Sequence, residues 1–332
     1  MLLKLPKSSE KLGHIEPFFS LMQRNFSRHP LVLDSRPPQR EAWHESVMVR
    51  EVLELFSPRS GGRFIDATLG DGGHAEAILA RTGPRGMLLG IERDPKMAGR
   101  ANRRLQNFGN RVVIVQASYE QLLVLAGAHG FMHSDGVLFD LGVAAWHFVS
   151  ARRGFSFRED EPLDMRFDPS EIEEDAAHIV NGGSYEELVY ILHAFGEERE
   201  ASRIAKAIIR NRPIVTTRAL ADLIVRTKHI ASRRIHPATK SFQAFRIAVN
   251  RELEIFASAL PRAVSALRVG GILLVIAYHS LEDRTAKRFL QNQVKGGSLA
   301  LLTKRPLRSS REEMRLNPRA RSAKLRAAVR TK

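Results

Sequence analysis

Short apolar runs alternate with amphipathic stretches along the first half of the chain. The runs cover residues 64–66, 87–91, 112–115 and 136–139, and the segments between them have the spacing of helices with one apolar side. Strands that alternate with helices in this way are typical of a parallel sheet covered on both faces. The pattern therefore predicts an α/β fold with a doubly wound, mostly parallel sheet.

The alternation stops after residue 150 and resumes near the end of the chain. A loop rich in Arg, Phe and acids covers 152–168, and the pattern is then helical as far as 234. A long helix is predicted over 242–260 and a fifth strand over 272–277. The sheet thus carries an inserted helical subdomain. The predicted parts are an extension (1–42), the first part of the core (43–150), the insertion (151–235) and the second part of the core (236–332).

The two ends of the chain are basic and differ in pattern. Residues 1–42 contain KSSEK, SRHP and SRPPQR without a continuous apolar stretch, which favours a loosely ordered extension over a secretory signal. A mitochondrial presequence is the alternative, although Glu10, Glu16 and Asp34 count against it. In the C-terminal segment, apolar residues near 299–302 and 323–325 predict that much of it packs onto the sheet.

Composition narrows the function. The chain has 332 residues and a formal net charge of +16, which favours a polyanionic partner such as nucleic acid, although a generally basic proteome would give the same sign. It contains no cysteine, so disulfides, thiol nucleophiles and Cys-bound zinc are excluded. The histidines lack metal-ligand spacing, and no apolar run is long enough to cross a bilayer. We expect neither a metal site nor a membrane partner.

A glycine loop follows the first predicted strand. Gly70, Gly72 and Gly73 come between Asp66 and the helix that starts at His74, an arrangement that presents free backbone N–H groups to a ligand. Gly70-x-Gly72-x-x-Ala75, with an acid about twenty residues on, also fits the dinucleotide fingerprint. Asp66 favours S-adenosylmethionine instead, because a carboxylate can face its amino group and sulfonium, whereas a pyrophosphate would gain nothing from it.

Polar side chains end all four strands of the first half. They are Asp66, Glu92, Tyr119 and Asp140. Ligands of doubly wound folds bind at the carboxyl ends of the strands, so we expect these four side chains to lie around one site. Glu92 is suited to accept the hydroxyls of a ribose.

One face of the predicted helix 242–260 is polar. Gln243, Arg246 and Asn250 follow one another at spacings of three and four and therefore share a side of the helix. Such a stripe is consistent with a solvated face, or with a surface that reads a base or a phosphate.

Eight segments together resemble the bacterial small-subunit ribosomal RNA cytosine-N4 methyltransferase family, also called RsmH or MraW. They occur in the expected order from residue 44 onward: DATLGDGGH, DLGV, RGFSF, PLDMR, GEER, HPATKSFQAFRIAVNREL, HSLEDR and NPRARSAKLR. The resemblance implies a Rossmann-like methyltransferase fold that uses S-adenosylmethionine to methylate N4 of a cytidine in the decoding region of small-subunit ribosomal RNA.

The same resemblance implies which residues contact the cofactor. Carried over by position, they are Gly72, Gly73, His74, Glu92, Tyr119, Asp140 and His147. This sequence departs from the family at several of them, since Asp is usual at the position of Glu92, Phe at Tyr119 and Gln at His147. Ala144-Ala145 replaces a usual Ser-Ser, and Ala277-Tyr278 a usual Ser-Phe.

Two residues are candidates for catalysis. Asp140 would accept a hydrogen bond from the cytosine amine or bind the methionine end of the cofactor. His279 would orient the base or relay a proton, and a histidine that caps the next helix is an equally good interpretation. Phosphate contacts are expected from Arg152, Arg153, Arg166, Arg246, Arg319 and Arg321.

Two other functions fit parts of the pattern. One is a non-catalytic RNA-binding or ribosome-assembly protein on the same fold, and the other is an NAD-dependent oxidoreductase. The expected partner is small-subunit ribosomal RNA within an assembling subunit, bound by a monomer or homodimer. The expected location is the cytoplasm, or the mitochondrion if residues 1–42 are a presequence.

Overall fold

A seven-stranded sheet organises the part of the chain that the structure describes. The computed structural model describes residues 45–149, 151–229 and 236–332, so the predicted extension 1–42 lies outside it. The strands are β1 (Arg63–Asp66), β2 (Met87–Glu92), β3 (Val112–Gln116), β4 (Ser134–Asp140), β5 (Leu267–Ala277), β6 (Leu299–Leu301) and β7 (Lys324–Arg330).

The strand order is β3-β2-β1-β4-β5-β7-β6. Strands β1 to β5 are parallel, whereas β7 runs antiparallel to both β5 and β6. The predicted doubly wound, mostly parallel sheet is confirmed, and so is the packing of the C-terminal segment onto it. The strand order reverses between β1 and β4, which is where such sheets bind their ligands.

The strand register places the three acidic residues that end β1, β2 and β4 at different depths from the edge of the sheet. Asp66 pairs with Gly90 on one side and with Leu138 on the other. Glu92 and Asp140 are therefore two residues further along their strands than the level of Asp66. They flank the loop that follows β1, whereas Asp66 lies deeper.

Helices cover both faces of the sheet and fill the long connection between β4 and β5. The helices of the first half are α1 (Val49–Phe56), α2 (Gly73–Arg81), α3 (Pro95–Leu105), α4 (Leu122–Ala128) and α5 (Ala145–Val149). The later ones are α6 (Ala176–Gly182), α7 (Tyr185–Gly196), α8 (Ala201–Arg210), α9 (Thr217–Thr227), α10 (Thr239–Asn250), α11 (Glu252–Ala266), α12 (Ser280–Lys295) and α13 (Arg311–Leu316).

Each face of the sheet has its own apolar core, and the connection has a third. Phe139 and Phe256 belong to one face, with ring centroids 5.6 Å apart, and Phe64 and Leu138 to the other. The third core joins the loop around Leu163 and helices α6 to α9 to α10. The division of the chain at residues 42, 150 and 235 stays a prediction.

The predicted helix 242–260 is wrong as one element, because it is broken at Arg251. That residue has φ 51° and ψ 35°, so α10 ends and α11 begins there. Neither glycine nor proline marks the break in the sequence. The turn is stabilised instead by Asn250, whose side-chain amide donates to the carbonyls of Met165 (2.7 Å) and Arg246 (2.9 Å).

Candidate functional site

A cavity of about 940 Å³, counted with its open mouth, lies at the carboxyl ends of β1, β2 and β4. We call it the first cavity. The loop after β1 forms its floor and is fastened to α3, because Asp71 lies 3.1 Å from a guanidinium nitrogen of Arg104 and 3.7 Å from one of Arg100. The predicted site residues in its wall are Gly70, His74, Glu92, Tyr119, Asp140, His147, Asn250 and Arg319.

Three predicted cofactor residues do not line this cavity. Asp66 lies below it, as the strand register requires, and Gly72 and Gly73 face neighbouring elements. A Cβ on Gly72, which has φ +87°, would come within 3.0 Å of Leu105, and one on Gly73 within 2.1 Å of the hydroxyl of Ser46. These two glycines thus let α2 pack closely, and Gly70 is the glycine of the loop that reaches the ligand space.

Glu92 links the floor of the cavity to the start of α3. One carboxylate oxygen accepts the backbone N–H of Gly70 at 2.7 Å, and the other accepts that of Asp94 at 2.8 Å. Burial raises the pKa of Glu92 from 4.5 to about 8, assisted by the charges of Asp94 and Asp66 and opposed by the two hydrogen bonds. Both oxygens keep lone pairs, so Glu92 can still accept hydroxyl groups.

Asp140 is held between two side chains. Its Oδ1 accepts the hydroxyl hydrogen of Tyr278 at 2.7 Å, and its Oδ2 lies 3.3 Å from Nε2 of His74. Burial alone would lower the pKa of His74, but the hydrogen bond and charge of Asp140, with the charge of Asp66, raise it. The Asp140 side chain keeps 20% of its surface exposed, so it can still take a ligand.

His147 is oriented by a buried carboxylate. Its Nε2 lies 3.0 Å from Oδ2 of Asp94, which Arg153 also contacts. Burial lowers the pKa of His147, while His147 and Arg153 lower the pKa of Asp94 against the effect of burial. A neutral ring therefore donates from Nε2, which leaves Nδ1 as an acceptor. That atom is buried and has no hydrogen-bond partner among the described residues.

Two candidate RNA contacts, Arg153 and Asn250, stabilise the loop 152–168, and an RNA contact of Arg153 stays a prediction. Arg153 contacts Asp94 and donates to the carbonyls of Arg166 and Phe167. Asn250 is 1% exposed, and its Oδ1 accepts the N–H of Phe167 at 2.9 Å. We therefore reassign Asn250 from base reading to support of the loop, since its amide is used inside the protein.

The remaining candidates are spread over the site and its surroundings. Arg166 makes a bidentate contact with the carboxylate of Asp164, with hydrogen bonds of 2.8 and 3.0 Å. Arg152 and Arg321 are exposed, and both stay predictions as phosphate contacts. Arg246 donates to both carboxylate oxygens of Glu252, at 2.8 and 3.0 Å.

His279 caps helix α12. Its Nδ1 accepts the backbone N–H of Glu282 at 3.4 Å, and its Nε2 lies 3.1 Å from Oε1 of the same residue. Of the two interpretations of His279, the structure shows the cap. Its catalytic role stays a prediction.

Sequence reasoning missed Tyr278 and Gly142 as site residues. Both line the first cavity. The available signal was position, because Tyr278 directly follows β5 and Gly142 follows β4 at the same edge of the sheet. Over residues 45–149, 151–229 and 236–332, no group of three possible ligands could hold a metal ion, and no helix is long and apolar enough to cross a membrane.

Comparisons with known proteins agree with the resemblance seen in the sequence. The profile of the MraW methylase family matches residues 41–331. A protein of Thermomicrobium roseum, named ribosomal RNA small subunit methyltransferase H, is 45% identical over 305 residues, which cover 86% of this chain and 93% of that protein. A protein of the same name from Trichlorobacter lovleyi is 44% identical over 308 residues, covering 87% and 98%. The resemblance is confirmed, and this chain belongs to the MraW methylase family.

Proposed function

We propose that this protein methylates the exocyclic N4 of a cytidine in the decoding region of small-subunit ribosomal RNA, with S-adenosylmethionine as methyl donor. The observation that carries the proposal is the partly exposed carboxylate of Asp140, fixed by His74 and Tyr278 at the edge of the first cavity. Membership of a methylase family and the names of the relatives support the reaction and the RNA.

Three residues of the first cavity would contact S-adenosylmethionine. Glu92 would accept ribose hydroxyls, and the orphaned Nδ1 of His147 would accept a hydrogen bond from an N–H or O–H of the cofactor. Tyr119, whose ring meets Phe139 edge-on at 5.6 Å, offers a face for the adenine. When bound, the cofactor supplies a methyl group that is already activated by its sulfonium.

Asp140 would make the poorly nucleophilic amine of cytosine more reactive. The lone pair of that amine is delocalised into the ring, and a carboxylate that accepts one of its hydrogens helps to localise and aim the lone pair. The contacts from Tyr278 and His74 restrict the rotation of the carboxylate. A fixed carboxylate would help to align the amine with the methyl group for in-line displacement. Proton loss from the methylated amine can go to water.

Ribosomal RNA as substrate is supported by charge as well as by the relatives. The formal net charge of +16 attracts a polyanion, and exposed arginines such as Arg152 and Arg321 would neutralise phosphates. We propose an assembling small subunit in the cytoplasm as the setting. The mitochondrial alternative depends on residues 1–42.

The test is transfer of labelled methyl groups to immature small subunits and to naked ribosomal RNA. The modified nucleoside is identified by mass spectrometry. We expect N4-methylated cytidine with the natural protein, and a loss of about a hundredfold or more in kcat with Asp140→Ala. An Asp140→Asn variant with full turnover would contradict the role of the carboxylate.

The methyl-transfer assay and calorimetry together separate the two other functions. A non-catalytic assembly protein would bind RNA without transferring methyl groups, and an oxidoreductase would bind NAD in place of S-adenosylhomocysteine. We expect S-adenosylhomocysteine to bind and NAD not to bind, because the chain belongs to a methylase family and its relatives are named as methyltransferases.

A further inference from the structure

A second cavity adjoins the first and is not used by the cofactor contacts described above. It measures about 840 Å³ with its open mouth. Five aromatic rings form part of its wall, those of Phe148, Phe155, Phe157, Phe242 and Tyr278. Its polar groups include Gln243, Arg246 and Arg319. Such a cavity suits a ligand with flat apolar faces and polar edges.

The aromatic walls are held rigidly by their neighbours. Phe157 meets Phe242 edge-on, with ring centroids 4.9 Å apart, and stacks on His236 at 4.4 Å. Phe155 stacks on Phe167, at 5.4 Å and an interplanar angle of 20°. Phe148 differs from them, since 38% of its surface is exposed at the rim of the cavity. Phe148 is thus the most solvent-exposed of the five rings.

The polar groups are also fixed before any ligand arrives. The side-chain nitrogen of Gln243 donates to the carbonyl of Phe195 at 3.0 Å, which leaves its carbonyl oxygen as an acceptor. Arg246 is tied to Glu252, and the Arg319 guanidinium contacts the carbonyl of Val143 and lies 6.0 Å from the ring centre of Tyr278. Amide and guanidinium groups are the ones that pair with the edges of nucleobases.

The two cavities meet beside Asp140, where four residues line both. Gly142, Val143, Tyr278 and Arg319 line both. Gly142 has φ +96°, and a Cβ there would lie 3.2 Å from the ring of Tyr278. Any other residue would therefore be strained and would narrow the junction. Tyr278 reaches from the second cavity to Asp140 through its hydroxyl.

We propose that the second cavity holds the target base after it has rotated out of its RNA strand. The base lies against the buried phenylalanines, Phe148 stacks on it from the rim, and Gly142 leaves room for its exocyclic amine to reach Asp140. Rotation out of the stack is less costly in single-stranded RNA. This assignment rests on the proposed function, because it takes the ligand to be a nucleotide.

A cross-linking experiment locates the base without requiring turnover. Ribosomal RNA containing 5-iodocytidine is bound to the full-length protein with S-adenosylhomocysteine and irradiated, and the cross-linked peptides are sequenced by mass spectrometry. We expect cross-links in the segment 146–157 and at Phe242 or Tyr278. Cross-links confined to other surfaces, or none at the second cavity, would overturn the assignment.

A matched pair of variants adds a quantitative test. Phe148→Ala removes the stacking ring at the rim. We expect the affinity for RNA to fall, and KM to rise, by about tenfold or more. Tyr190→Ala removes a ring that is 62% exposed on α7, away from the cavity, and should change neither. Binding of S-adenosylhomocysteine, measured by calorimetry, should be the same in both variants and in the natural protein.

The outcomes separate this assignment from the proposed function. If methyl transfer to N4 is observed but Phe148→Ala keeps its KM and the cross-links lie elsewhere, only the second cavity has been misassigned. If no RNA is methylated but cytidines still cross-link to the phenylalanines, the base pocket stands and the proposed reaction fails.

Discussion

The hydroxyl of Tyr278 donates a 2.7 Å hydrogen bond to Oδ1 of Asp140. This contact joins the end of β5 to the end of β4. A hydrogen bond to a charged acceptor contributes about 1.5–3 kcal/mol. Here it orients the carboxylate that the cytosine amine would meet.

Tyr278→Phe removes that hydroxyl and leaves the ring in place. We expect kcat to fall about tenfold, with little change in KM or in the affinity for S-adenosylhomocysteine, because only the aim of Asp140 is affected. Steady-state kinetics with labelled methyl donor and calorimetry measure the two effects. Tyr190→Phe, which removes an exposed hydroxyl, is the control, and an unchanged kcat in Tyr278→Phe would refute this positioning role.

Glu92 should make stability depend on pH. Its pKa is raised from 4.5 to about 8 by burial, so between these values the native state keeps a proton that the unfolded chain has lost. The native state binds more protons there, and stability must fall as pH rises from about 5 to 8. Denaturant unfolding at several pH values should show a steeper fall for the natural protein than for Glu92→Gln.

Comparing the pH dependence of stability in the two proteins separates the effect of Glu92 from that of Asp66. Burial also raises the pKa of Asp66, to about 6, and Asp66 is present in both proteins. A glutamine side chain has only one acceptor oxygen and cannot accept both backbone N–H groups, so the Glu92→Gln variant will be less stable at low pH. Equal slopes in the two proteins would show that Glu92 is ionised in the native state.

His147 should contribute an acceptor to cofactor binding. Because Asp94 fixes the proton on Nε2, His147→Phe would fill the space without an acceptor, and we expect S-adenosylhomocysteine to bind about tenfold more weakly. His147→Gln restores an amide oxygen and should bind within about threefold of the natural protein. Calorimetry gives both values, and equal affinities for the Phe and Gln variants would contradict the contact.

Two glycines should respond in opposite ways to alanine. A Cβ on Gly136 in β4 would lie 2.4 Å from the ring of Phe56 and 2.9 Å from that of Phe64, whereas one on Gly127 in α4 would meet nothing within 4 Å. Gly136→Ala should destabilise the protein by about 1–3 kcal/mol through overpacking. Gly127→Ala should stabilise it by up to about 1 kcal/mol, because glycine is unfavourable in helices.

Thermal and denaturant unfolding distinguish these two effects. The Gly127 variant serves as the matched control, since both changes add one methyl group. A Gly136 variant as stable as the natural protein would mean that Phe56 can move aside without cost.

Much of the site could be predicted because it depends on strand order. Glu92 and Asp140 end β2 and β4 as predicted, whereas Tyr119 lies three residues beyond the end of β3, in a short 3-10 helix. A parallel sheet brings such strand ends and the turns after them to one edge. Asp66 followed the same rule but lies deeper, because its strand is two residues shorter at that edge than β2 and β4. The local pattern of apolar residues shows where a strand ends, but it does not show which residues of the neighbouring strands lie beside that end.

Contacts between distant segments escaped prediction. Gln243, Arg246 and Asn250 lie on one helix as predicted. The Gln243 amide nitrogen, the Arg246 guanidinium and the Asn250 amide nevertheless contact Phe195, Glu252 and the loop at Phe167, which are distant in sequence or lie on another element. The break at Arg251 was missed for a related reason, because the left-handed turn is stabilised by Asn250 reaching the carbonyl of Met165 in a loop that is distant in sequence.

The sequence by itself determined the alternation of strands and helices, the residues that end the strands, the basic charge and the family. These are local or compositional properties, and each can be read without knowing which segments meet. Only the tertiary structure decided that Asp94 fixes the proton on His147, that Tyr278 orients Asp140, and that an aromatic cavity opens beside them. Those arrangements depend on strand register and on packing between distant segments, and no local pattern specifies them.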